Sequence, residues 1–253
     1  MNTKADLKSC FCYDIMIYRG DCMKVLTILG TSHKGNTRAI VDLFLDEFKD
    51  KDVEFDELVL PNDFKYFCGG CANCILKGED TCPHYKEVKV IVEKIEKADL
   101  IILATPVFVG SCTSGMKALL DHLAYMWLVH RPKESMFSKV GLIITSAGGS
   151  GVKATTKLLK SNLFYWGVPK IYNYGVTTMK MGGNYVDYKD KDKIKKQVHK
   201  KANKVKKSLS NVKVGFKTKF FFKLFGMTQK NGWNKTDVDY WKEKEWLNGK
   251  KPY

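Results

Sequence analysis

The runs "DLIILATPVFVG" (residues 99–110) and "VGLIITSA" (residues 140–147) are apolar almost without interruption. Neither reaches the roughly 20 residues that a membrane-spanning helix needs, and neither alternates as a strand with one wet face does. They read as strands buried on both sides, the kind found in parallel sheets sandwiched between helices. The chain around them keeps that rhythm. "KVLTILG" is a short apolar strand, and "NTRAIVDLFLDEFK" after it places Ile40, Phe44 and Phe48 at helical spacing. "VEFDELVL" alternates as a strand and stops at Pro61, and "YKEVKVIVEKIEKA" turns Val88, Ile91, Val92 and Ile95 to one helical face. Helices are also predicted in "GMKALLDHLAYMWLV" and "VKATTKLLKSNLFYWG", the latter ending at Gly167 as a C-cap, before a fifth strand, "KIYNYGV". Five strands alternating with helices predict an α/β fold, a doubly wound five-stranded parallel sheet with right-handed crossovers.

The length of 253 residues suits one domain with an extension. Met23 opens the first strand like a natural start, so residues 1–22 read as a loose leader or a misassigned start, without an apolar signal core. Residues 23–210 form the predicted domain and residues 211–253 a basic, aromatic C-terminal arm. A cytoplasmic protein is expected. The net charge of +16 raises nucleic acid as a partner, but the arginines are only Arg19, Arg38 and Arg131. Phosphate and base recognition leans on arginine forks, so no nucleic-acid role is expected. Much of the lysine excess follows Tyr188, where Ile194, Val198, Ala202, Val205 and Leu209 make the apolar stripe of a helix with a solvated basic surface. In the arm, Phe216, Phe220, Phe221, Phe222, Leu224 and Phe225 stand among lysines, with Trp241 and Trp246 beyond. An arm folded over this subunit or a partner is the favoured reading, and membrane-surface contact the secondary one.

Ligands of an open parallel sheet bind beyond the carboxyl ends of its strands. Three such ends are unusual here. "GTSHKGNTR" offers the hydroxyls of Thr31, Ser32 and Thr37, the amide of Asn36 and the backbone freedom of Gly35 at a helix N-terminus, which suits an anion. Asn36 or Thr37 could equally be a plain N-cap. "ATPVFVGSCTSGMK" has a turn fixed by Pro106, an aromatic face in Phe108 and close backbone approach at Gly110 and Gly115; "TSAGGSG" adds Gly148, Gly149 and Gly151. A phosphate loop beside two glycine-rich loops describes a pocket for a planar ring with a phosphate tail, and flavin mononucleotide fits it.

The order "GTSHKGNT", "CGGCANC…C", "ADLIILATPVFVGSCTSGMKALLDH" and "TSAGGSG" resembles the flavodoxin-like NAD(P)H-dependent FMN reductases, and among them the iron–sulfur flavoproteins, from Met23 to about Val176. The resemblance implies a flavodoxin-like sheet. It implies that Thr31, Ser32, His33, Gly35, Asn36 and Thr37 hold the FMN phosphate. Pro106, Val107, Phe108, Val109 and Gly110 would border the ring, and Ser146, Ala147, Gly148, Gly149 and Gly151 would close its other side. His33 stands where the family frequently has arginine, as does His122; each has a structural alternative as a cap or core residue. The family forms dimers or tetramers, which would suit "MKALLDHLAYMWLVHRP" as a contact surface of a homodimer or homotetramer.

Between the second strand and the next helix, Cys68, Cys71, Cys74 and Cys82 follow the spacing C-x2-C-x2-C-x7-C. The first three match the close spacing of bacterial ferredoxins, which points to a [4Fe–4S] cluster. Structural zinc and redox-active free thiols remain open beside it, whereas a permanent disulfide is not expected in a cytoplasmic protein. Cys112 reads as a small buried residue. The function implied is an oxidoreductase that takes electrons from NAD(P)H through FMN to a quinone, nitro compound, flavin or iron–sulfur acceptor. The alternative is an electron carrier that never binds nicotinamide. Flavin carries such chemistry itself, so no Ser–His–Asp or paired-carboxylate set is required.

Overall fold

The structure, a computed structural model, describes residues 22–49, 52–178 and 191–253. The leader expected over residues 1–22 falls outside these, Cys22 excepted. Strand β1 (Met23–Leu29) leads through helix α1 (Asn36–Asp46) to β2 (Val53–Val59). A long connection carries the one-turn helix α2 (Asn73–Leu76) before α3 (Tyr85–Lys97). Then come β3 (Leu100–Pro106), α4 (Ser114–His122), β4 (Val140–Ala147), α5 (Val152–Tyr165) and β5 (Lys170–Thr177). Helices α6 (Lys191–Leu209), α7 (Phe216–Lys230) and α8 (Lys235–Glu243) follow.

The five strands are parallel, in the order β2-β1-β3-β4-β5. Successive side chains on a strand face opposite ways. Leu26, Ile28, Ile101, Leu103 and Ile143 therefore pack with α3, α4 and α5 on one face, and Val25, Leu29, Leu100, Ile102, Leu142 and Ile144 with α1 and α6 on the other. The two runs that lack alternation are β3 and β4, buried along nearly their whole length. From β1 the chain steps to one side for β2 and to the other for β3, so the loops leaving β1 and β3 diverge and open a crevice. Gly167 ends α5 as expected, at φ +100°. Its N–H donates to the Phe164 carbonyl and that of Val168 to Leu163, a Schellman cap.

Helix α4 is shorter than its periodicity suggests. It stops at His122, and the chain continues through single turns at Ala124–Met126 and Glu134–Ser138. Tyr125 and Met126 are buried in the core beside α3, whereas Leu128 joins a separate cluster with the arm. One helix face cannot serve both directions. The segment expected as a contact surface is for the same reason largely interior to a single chain.

The arm folds back on the domain. Phe222, Trp241 and Trp246 enclose Leu128 and Phe137, and Trp241 Nε1 donates to the His130 carbonyl (2.6 Å). At its centre Asp237 is fully buried. It accepts from Arg131 Nη1 and from Asn234 Nδ2 (3.0 Å), and lies 2.8 Å from His130 Nδ1. Phe216, Phe220, Leu224 and Met227 stay exposed on α7, so the arm buries only part of its apolar surface. Among the described residues no helix is long and apolar enough to cross a membrane. Removing a buried ion-pair partner strands the other charge at a cost of roughly 3–5 kcal/mol. Asp237→Ala is accordingly expected to lower the urea-unfolding free energy by about 3 kcal/mol, more than Asp239→Ala on the exposed side of the same helix.

Candidate functional site

The loop between β1 and α1 presents Ser32, His33 and Lys34 to solvent and buries Gly35 and Thr37. Gly35 rather than Asn36 or Thr37 occupies the N-cap, and no side chain caps the helix. Thr37 is instead turned inward, its Oγ1 2.6 Å from Ser146 Oγ. Among the described residues, the N–H groups of Asn36, Thr37 and Arg38 donate to no backbone carbonyl, and the first turn holds no acidic residue. Both features favour an anion. The Arg38 guanidinium is already engaged, Nη1 lying 2.8 Å from both Glu57 oxygens and Nε 2.8 Å from Asp42. That bond to Glu57, first among its causes, pushes its pKa further up. His33 lines a cleft of about 320 Å³ on the β2 side of the loop, with Ser32, Lys34 and Asn62.

The other two loops meet it. Thr113 Oγ1 donates to the Gly30 carbonyl (2.5 Å), and Val107 N–H donates to the Ser146 carbonyl (2.7 Å). A carbon added at Gly151 would stand 2.7 Å from Val107 Cγ1 and 3.5 Å from Gly110 Cα, so the loops after β3 and β4 are in contact. Phe108 and Ser111 exchange backbone hydrogen bonds across a tight turn. Its central residues, Val109 and Gly110, have φ of +48° and +74°. Positive φ at both positions belongs to type I′ turns and is strained for a β-branched residue. Val109 is also 90% exposed, beside an exposed Phe108; strained, solvent-facing apolar tips of this kind mark ligand clamps. Ser146 and Ala147 are buried, which leaves residues 148–151 as the accessible part of the last loop.

These residues fit FMN. Carbons added at Gly110 or Gly149 meet nothing within 4 Å, which leaves both backbones open to a flat ring. The uncapped start of α1 suits the phosphate. Asn36 Oδ1 is buried without a hydrogen-bond partner among the described residues, while its Nδ2 donates to Thr178 Oγ1 (3.3 Å). A hydroxylated chain between ring and phosphate would supply that oxygen with a donor.

The cysteine loop packs at its base against the same region: a carbon added at Gly115 would touch Leu60 Cβ at 3.3 Å. Cys68, Cys71, Cys74 and Cys82 are free thiols. Burial pushes the Cys74 thiol up in pKa, and Cys82, Cys68 and Cys71 add to the shift while Arg131 opposes it. Cys74 is thus the thiol on which the other three cysteines of the loop act. Cys112 is different: buried and pushed up mainly by desolvation, it is inert packing.

Periodicity and motifs gave no sign of what holds this loop. Arg131 donates to the Cys74 carbonyl through Nη2 and to the Ile75 carbonyl through Nη1 (3.2 Å). From α8, Asn234 Nδ2 donates to the Ile75 carbonyl (2.9 Å) and Thr236 Oγ1 to that of Leu76 (2.7 Å). The unpaired carbonyls at the end of α2 are therefore capped by a cation and by the arm. Glu79 completes the set, accepting from Arg131 Nε at 3.1 Å. Burial alone would raise its carboxyl, but its own backbone N–H, Lys133 and Arg131 outweigh that and hold it low. The nearest signal in the chain was the isolated arginine itself, in "VHRP".

Since the Val109 conformation costs on the order of 1–3 kcal/mol, Val109→Asn, which tolerates positive φ before glycine, should stabilise the protein by about 1 kcal/mol in thermal or urea unfolding.

Comparison with known proteins agrees with this geometry. The profile of the NADPH-dependent FMN reductase family matches residues 23–180. An iron–sulfur flavoprotein of Archaeoglobus fulgidus is 28% identical over 148 residues, 58% of this chain and 64% of its own length. One from Methanosarcina thermophila is 31% identical over 140 residues, 55% of this chain and 70% of the relative. The fold matches that of an FMN-dependent NADH-azoreductase from Bacillus anthracis, solved with FMN, at a TM-score of 0.57 and 12% identity over 72% of this chain and 99% of that one. A NAD(P)H:quinone oxidoreductase from Methanothermobacter marburgensis matches at 0.54 and 14% identity, over 76% and 97%. With the family profile spanning more than half of its residues, the chain belongs to the NADPH-dependent FMN reductase family.

Proposed function

We propose that this chain is an NAD(P)H-dependent flavin oxidoreductase of the cytoplasm, working as a homodimer or homotetramer. The observation that carries the reading is the convergence of three loops at one sheet edge, an uncapped helix N-terminus and two open glycine backbones, in a chain of this family. FMN, when bound, supplies the redox chemistry, accepting hydride from a nicotinamide and passing electrons on. The protein's part is placement. The N–H groups of residues 36–38 and the hydroxyls of Thr31 and Ser32 would hold the phosphate. The Thr37–Ser146 bond (2.6 Å) locks the phosphate loop to the end of β4, so phosphate and ring sites keep a fixed separation. Phe108 and Val109 would shield one edge of the ring from water, and Gly110 and Gly149 let it approach the backbone.

The acceptor is proposed to be a small oxidant, a quinone, nitro compound or flavin, or a [4Fe–4S] cluster held by Cys68, Cys71, Cys74 and Cys82. The spacing C-x2-C-x2-C-x7-C supports the cluster, as does the occurrence of the name iron–sulfur flavoprotein among the relatives. The expected result is that purified protein takes up one FMN and that NADH or NADPH bleaches its absorption under anaerobic conditions. A flavin-loaded protein that neither nucleotide bleaches would instead be an electron carrier. Gly149→Leu tests the site itself. The first carbon of its side chain meets nothing within 4 Å, so stability should change by less than about 0.5 kcal/mol, while FMN affinity falls by at least roughly tenfold because the ring loses its place.

A further inference from the structure

Beside the four-cysteine loop stands a second set of ligand atoms. Cys82, His84 and His122 each offer one, and all lie within 4.8 Å of one another. Cys82 and His84 come from the end of the loop, His122 from the last turn of α4. His84 Nδ1 is 2.9 Å from His122 Nε2. His122 Nδ1 lies 2.7 Å from the Ala118 carbonyl, which can only accept, so Nδ1 carries that ring's proton and Nε2 turns a lone pair toward His84. An imidazole held in one tautomer by a carbonyl behind it is the usual support of a metal-binding histidine. The rings are also fixed from the sides: Phe64 meets His122 edge-on at 4.9 Å and Tyr66 stacks on His84 at 4.8 Å.

We propose that Cys82, His84 and His122 form a mononuclear site for a divalent transition ion of the zinc class, an alternative to a four-cysteine cluster because the two share Cys82, and independent of flavin binding. The donor set, one thiolate and two imidazoles, is the borderline-soft set that such ions select. Imidazole nitrogens about 2.05 Å from one ion stand about 2.9 Å apart at a right angle and about 3.3 Å apart at the tetrahedral angle. The observed 2.9 Å therefore needs to open by a few tenths of an ångström, with the His84 ring tilting so that both nitrogens face the ion instead of each other. Binding removes the thiol proton of Cys82 to solvent and shifts the proton of His84 from Nδ1 to Nε2. The fourth position is left to water, since Cys82 and His84 are half-exposed while His122 is buried. The ion would tie the end of the cysteine loop to α4. Because it draws on Cys82, it and a four-cysteine cluster would occupy the chain in turn.

The test is anaerobic titration of the metal-free full chain with Co²⁺, whose thiolate charge-transfer and visible bands report ligand type. One equivalent should bind, with the charge-transfer intensity of a single thiolate, and Zn²⁺ should displace it. His122 is buried, so the half-exposed positions decide: His84→Ala and Cys82→Ser should each weaken Co²⁺ binding roughly 100-fold. The double variant Cys68→Ser/Cys71→Ser should bind as before. Circular dichroism of each variant checks the fold, and FMN uptake measured on the same samples reports separately on the flavin reading. The proposal is overturned if micromolar Co²⁺ does not bind, if binding survives His84→Ala, or if the Cys68→Ser/Cys71→Ser variant loses it.

Discussion

Two-sided burial of β3 and β4 is the constraint from which the rest follows. A strand with no wet face needs helices above and below it, and parallel neighbours need crossovers to supply them. Leu100, Ile102 and Ala104 point to α1 and α6, and Ile101 and Leu103 to α3, α4 and α5. Once those helices are shared between two faces, the order must reverse somewhere, and it reverses at β1. The crevice at the ends of β1 and β3 is thus a by-product of covering an apolar sheet. The chain's polar and glycine-rich loops are gathered there because that edge is where backbone groups remain unpaired.

A second constraint is electrostatic. Arg131 and Asp237 are each almost fully buried, and a charge removed from water must be matched by another. Their pairing pulls α8 onto the domain. Arg131 uses its remaining donors on the Cys74 and Ile75 carbonyls, so the same cation that holds the arm also holds the cysteine loop. Loop, arm and the turn after α4 are consequently one mechanical unit. The aromatic contacts of Phe222, Trp241 and Trp246 contribute area to that unit, while the ion pair sets its register.

Much of the fold was legible because it rests on periodicity. The stripes of α3 and α6, the cap at Gly167 and the apolar runs of the central strands are local patterns that tertiary packing only had to accept. Within the site, the order of the three loops was legible for the same reason. The roles inside them were not. Thr37, expected at the phosphate or as a plain N-cap, is buried against Ser146, and Gly35 takes the N-cap. Ser146 and Ala147, expected beside the ring, are both buried. His84 drew no attention in a loop dominated by cysteines, since its partner His122 is 38 residues away.

The sequence by itself determined the layers, the strand count and the order of the loops at the carboxyl ends of the strands, because alternation, apolar runs and glycine punctuation act over a few residues. Only the tertiary structure decided where α4 ends, which way the arm folds, what caps the cysteine loop and which histidines meet. Those outcomes depend on pairs far apart in the chain, Arg131 with Asp237 and His84 with His122. Burial of a charge or an imidazole is satisfied by whichever partner three-dimensional packing brings within reach, and no local pattern records that choice.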